Sequence, residues 1–69
     1  MSENLMEGLL NEITRVTEIK TEYVNLPGNA GILAASLMAM DIQAAKRAIS
    51  ENDVIKMLTC YEKLKEYEL

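Results

Sequence analysis

Sixty-nine residues make one domain, near the size at which folding hides only about 60% of the surface the unfolded chain exposes, so the core needs a supplement. With one cysteine and no histidine that supplement is neither a disulfide nor a structural zinc, which leaves oligomerisation. Eleven acidic against seven basic residues, a net charge of −4, argue against a nucleic-acid backbone as ligand, because that binding rests on lysine and arginine displacing counterions.

The first element is an amphipathic helix over about residues 2–25. Met6, Leu9, Ile13 and Val16 recur at three- and four-residue steps that continue through Ile19 to Tyr23, with Leu5 and Leu10 at the shoulders. Ser2 is placed to cap the first turn, and Glu3 and Glu7 suit the positive end of the dipole; Gly8 weakens these turns. "NLPG" ends the helix, since the residue before Pro27 is pushed out of the helical region. The opening "MSENLMEGLL" has no signal-peptide pattern and the single cysteine suits a reducing compartment, so the expected location is the cytoplasm.

A second helix spans residues 29–50. Its first half, through Met40, is apolar on every side, yet far shorter than the roughly 20 residues a bilayer requires, so no membrane span is expected. Its second half sets Met38, Ile42, Ala45 and Ile49 against Asp41, Gln43, Lys46 and Arg47. "SEND" interrupts the pattern: Asn52 tolerates the left-handed conformation that closes a helix, and Asp53 can cap the next. The third helix, over residues 53–67, shows Val54, Met57, Leu58, Tyr61 and Leu64 on one face, with Cys60 at its flank and Tyr67 in a charged tail. Both connections are short, so the expected fold is an all-α, three-helix antiparallel domain covering residues 1–69.

A lone three-helix unit hides one stripe per helix, and the all-round apolarity of residues 30–40 exceeds that. The predicted remedy is a helical homo-oligomer joined through Ile32, Leu33, Ala35, Ser36, Leu37, Ala39 and Met40, where small residues permit close approach and methionines adapt. A groove for a partner protein's helix is the competing use of the same stretch.

"PGNAG" carries the ligand hypothesis. It places two glycines and an asparagine where the first amides of a helix lack internal partners, an arrangement that attracts anions. The candidate site is Tyr23, Gly28, Asn29, Ala30, Gly31 and Ile32, with Tyr23 as a stacking platform for a nucleotide and Arg15 or Lys20 needed to offset the acidic charge. The plain alternative is that Pro27 and Gly28 make the turn, Asn29 caps, and Gly31 permits tight packing. No catalytic residues, metal ligands or cofactors are expected: there is no nucleophile with a base, and Glu18 with Glu22, or Glu62 with Glu66, are spaced as solvated helix faces.

The order "LPGNAGILAASLMAMDIQAAKRAISENDVIKMLTCYEKLKEYE", residues 26–68, resembles small proteins encoded by bacteriophages and prophages, in which an LP turn precedes an alanine-rich helix, an acidic cap and a final "Y-E-x-L-K" helix. Part of it, "AAKRAISENDVIKMLTCYEKL", is also similar to tetratricopeptide helix junctions through Ala45, Ala48, Asp53 and Tyr61, although one copy makes no solenoid. The phage resemblance implies a non-enzymatic accessory factor that inhibits a host protein, such as a defence protein, by direct binding. The alternative is an oligomer that sequesters an anionic nucleotide.

Overall fold

In the computed structural model, which describes residues 4–68, three helices follow one another: α1 Leu5–Val24, α2 Ala30–Ser50 and α3 Val54–Lys65. Ser2 and Glu3, assigned above to the first helix turn, lie outside the described residues. Asn4 caps α1 instead: its backbone is extended (φ −87°, ψ 171°) and its side-chain oxygen accepts the amide of Glu7 at 2.7 Å. Asp53 caps α3 in the same way, accepting the amide of Lys56 at 3.1 Å. Before it, Asn52 takes the left-handed conformation (φ 57°), and the amides of Asn52 and Asp53 return to the carbonyls of Ile49 and Ala48.

Consecutive helices run antiparallel, so α3 lies alongside α1 in the same direction, and each helix packs on the other two. No strand occurs among the described residues, and no helix there is long and apolar enough to cross a membrane. Leu9, Ile13, Val16 and Ile19 of α1 meet Met38, Ile42, Ala45 and Ala48 of α2 and Met57, Cys60 and Leu64 of α3. Tyr23, Ile49, Tyr61 and Tyr67 close the edges. Two assignments shift. Met6 is exposed, so the α1 stripe runs through Leu9 without it. α3 is turned so that Cys60 faces inward and Val54 and Leu58 face out.

Polar ties from distant parts of the chain fix that rotation. The Arg15 guanidinium, steered by two hydrogen bonds to one Glu12 carboxylate oxygen, donates to the carbonyls of Leu64 (2.9 Å) and Tyr67 (2.8 Å). Carbonyls at a helix end have no partner within the helix, so a cation from α1 both satisfies them and suits the negative end of the α3 dipole. The Tyr67 hydroxyl donates to the Asp41 carboxylate at 2.6 Å. Burial, then that hydrogen bond and the carboxylate's charge, push the Tyr67 hydroxyl up to about 12. Tyr67 therefore belongs to the packed body rather than to a charged tail. The helix ends at Lys65, short of residue 67, because the amides of Glu66 and Tyr67 bond three residues back in a tightened last turn.

Tyr67 also marks where α3 stops along α2. α2 has 21 residues and α3 only 12, which at 1.5 Å per residue are about 31 Å and about 18 Å. With the end of α3 tied to Asp41, the helix itself stops short of the first turns of α2, and residues 66–68 carry the chain on to the Tyr23 hydroxyl.

Candidate functional site

α1 hands over to α2 through a turn built on Gly28, whose φ of +85° is a conformation that disfavours a side chain. Asn29 does not cap α2. Its backbone is already helical (φ −95°, ψ −15°), so its side chain is not aimed at the first amides, and it makes no capping hydrogen bond. Gly31 is buried with its α-carbon against the carbonyl of Tyr23, and a β-carbon there would drive into that oxygen. Glycine is thus demanded by the crossing of α2 over the end of α1.

Of the residues assigned to an anion site, Gly28, Asn29, Ala30 and Ile32 are exposed, whereas Gly31 is buried and Tyr23 is half-buried, packed against the core with its hydroxyl donating to the carbonyl of Glu68 at 3.4 Å. The nearby surface is acidic: an open groove of about 340 Å³ is lined by Arg15, Glu18, Ile19, Glu22 and Glu68. Arg15, proposed to neutralise a ligand, is already engaged with Glu12 and the end of α3, and the hydrogen bond to Glu12 raises its pKa.

The assigned interface residues divide differently. Ile32, Leu33, Leu37 and Met40 are 54, 67, 52 and 67% exposed, large values for side chains of this kind. Ser36 is exposed with its hydroxyl donating to the carbonyl of Ile32 at 3.0 Å, so it presents no unspent donor. Ala39 is intermediate. Ala35 is buried within the chain and so is unavailable to a second copy.

Leu33 and Leu37 share one ridge of α2 with Met40 and Ala44, and all four are exposed. A second apolar set, Val54, Ile55 and Leu58, at 62, 79 and 52% exposed, sits on the first turns of α3. Val54 and Leu58, expected on the apolar face with Met57 and Leu64, point outward instead, and Ile55 joins them at a 54, 55, 58 spacing that is visible in the sequence.

Between α2 and α3 an open cleft of about 310 Å³ is lined by Ala44, Arg47, Ala48, Lys56, Thr59 and Cys60. Burial raises the pKa of the Cys60 thiol, opposed by Lys63, which favours a protonated and weakly nucleophilic sulfur. Among the described residues no group of three or more histidine, cysteine, aspartate or glutamate side chains is placed to hold a metal ion. The chain matches no protein-family model, and no curated protein or solved structure is significantly similar to it.

Proposed function

We propose that this protein is a non-enzymatic binding module that acts by covering the surface of another protein. One observation carries the proposal: among the described residues eight leucine, isoleucine, valine and methionine side chains are buried, whereas eleven are exposed. A scatter of single apolar residues is ordinary, but seven of the eleven form two sets, one on the first half of α2 and one on the first turns of α3, and such sets suit contact with another protein. From the phage resemblance, the partner is a host protein, a defence factor being the leading candidate. The buried, unpaired Cys60 suits a reducing cytoplasm. The turn before α2 gives less support to nucleotide sequestration, because its tyrosine and second glycine are committed to packing and the adjacent groove is acidic.

The test is phage challenge of bacteria that each carry one defence system and express this protein. The expected result is that one system fails and one of its components co-purifies with the protein in fixed proportion. Ile55→Glu, on the most exposed of these side chains, should abolish both effects while leaving the fold intact. The proposal is wrong if no system is affected, or if a system still fails when Ile55→Glu and Leu37→Glu are combined in a folded variant.

A further inference from the structure

We infer that the cleft between α2 and α3, with Ile55 and Leu58 beside it, receives an acidic segment of the partner protein. One apolar side chain of that segment enters the cleft, and its carboxylates lie on Arg47 and Lys56. The inference rests on the binding-module reading and gives the chemistry of what is bound.

Charge is unevenly placed along the chain. Residues 42–65 hold five basic and three acidic residues, whereas the rest of the chain holds two basic and eight acidic. The hairpin of α2 and α3 is therefore the cationic part of an acidic protein. The grooves repeat this division. The groove beside α1 is lined by Glu18, Glu22 and Glu68, and its Arg15 is engaged with Glu12 and the end of α3. The cleft between α2 and α3 is lined by Arg47 and Lys56 and by no carboxylate. A further hollow of about 360 Å³ shares Ala44 and Arg47 with it and extends it along α2 to Met40, again without a carboxylate.

Both cations are available. The Arg47 side chain makes no hydrogen bond or ion pair among the described residues. The Lys56 ammonium lies 3.7 Å from the Glu51 carboxylate with the two side chains 64 and 49% exposed, and a pair so open to solvent holds its members weakly. The charges that act on the Cys60 thiol in the cleft are those of Lys63, Asp41 and Lys56, and Asp41 is bound by Tyr67.

The apolar part selects a protein segment over a bare anion. Ala44, Ala48 and Cys60 line the cleft, and the Thr59 hydroxyl there donates to the carbonyl of Ile55 at 3.1 Å. Ile55 shares a face of α3 with Leu58 and Thr59, so the exposed apolar set borders the cleft. A phosphate or a nucleic-acid backbone has nothing to place on these groups, whereas a peptide that carries leucine among glutamates matches both features. Opposite charge also steers such a segment to this face of a chain that elsewhere repels it.

Amide NMR titration of the isotopically labelled whole protein tests this with a synthetic glutamate-rich peptide that has a central pair of leucines. The amides of Ala44, Arg47, Ala48, Lys56, Thr59 and Cys60 should shift along one binding curve. A peptide with alanine for the leucines, one with lysine for the glutamates, and oligothymidylate should each bind at least roughly tenfold more weakly. Arg47→Glu combined with Lys56→Glu should lose the glutamate peptide to the same degree and take the lysine peptide in its place; both side chains are exposed, so the fold should remain. Arg47→Gln with Lys56→Gln, which should lose the glutamate peptide, serves if the reversed variant does not fold. Absence of shifts with the leucine and glutamate peptide overturns the inference. So does equal binding of the alanine peptide or oligothymidylate, which would make the face a simple anion surface, or undiminished binding by the charge variants. If the peptide does not bind but Ile55→Glu still releases the component captured in the challenge assay, this inference falls and the binding-module reading stands.

Discussion

Replacing Gly31 with alanine sets two effects against each other. Within an ordinary helix the change is favourable by about 1 kcal/mol, because alanine loses less backbone freedom on folding. At Gly31 the new β-carbon would enter the space of the Tyr23 carbonyl oxygen and lie 3.1 Å from the β-carbon of Leu26. That oxygen is main chain at the end of α1 and already accepts the amide of Leu26 at 3.2 Å, so it has no rotamer by which to withdraw. The start of α2 must move away from α1. Overpacking of this kind costs about 1–3 kcal/mol, and straining the Leu26 hydrogen bond adds up to about 1 kcal/mol. Net destabilisation is about 0–3 kcal/mol with a middle value of about 1.5 kcal/mol, which for a domain of this size lowers the melting temperature by about 6–12 °C. Thermal unfolding followed by circular dichroism reads the sign directly. Gly28→Asn is the contrast, since the space around Gly28 is open and asparagine tolerates its positive φ; it should be nearly neutral. A rise in melting temperature for Gly31→Ala, the outcome of helix propensity alone, refutes the close-crossing account.

Three further outcomes follow from the same contacts. In an ultraviolet titration of the three tyrosines, one should ionise near pH 12 and that step should vanish in Tyr67→Phe. Since the folded-state value lies above the unfolded value of about 10, the stabilisation is complete below about pH 10 and is lost as pH rises toward 12. Asp53→Ala should cost about 1 kcal/mol in urea unfolding, whereas Asn29→Ala, which removes no capping bond, should leave the midpoint within error. A thermal-shift panel of mono-, di- and cyclic nucleotides should leave the melting temperature unchanged; a ligand at a hundred times its dissociation constant would contribute about 2.7 kcal/mol, and such a rise would restore the helix-start site.

The cores of α1 and α2 were legible from spacing alone, because Leu9, Ile13, Val16 and Ile19, and Met38, Ile42 and Ala45, are the dominant apolar stripe on their helices. α3 offers two stripes of similar weight, one through Val54, Leu58 and Tyr61 and one through Met57, Cys60 and Leu64. Periodicity cannot rank them. The choice is made by Arg15 and Asp41, which reach the end of α3 from 49 or more and 26 positions away in sequence. Asn29 misled for a different reason: asparagine is a good cap only where its backbone is extended, as at Asn4, and that depends on a turn geometry that residue identity does not reveal. The candidate surface was legible in part. The excess of apolar residues around Leu33 and Leu37 is plain in the sequence, but which of them the packing of the three helices leaves exposed is not.

The most direct measurement on the exposed apolar side chains is a methyl-resolved NMR titration of the unmodified protein with the component that co-purifies in the challenge assay. The methyl signals of Val54, Ile55 and Leu58, with those of Leu33 and Leu37, should shift along one binding curve, while those of the buried Leu9, Ile13 and Ile42 stay fixed. Signals that do not move as the component is added, or that move equally in the core and on the surface, would contradict binding through these side chains.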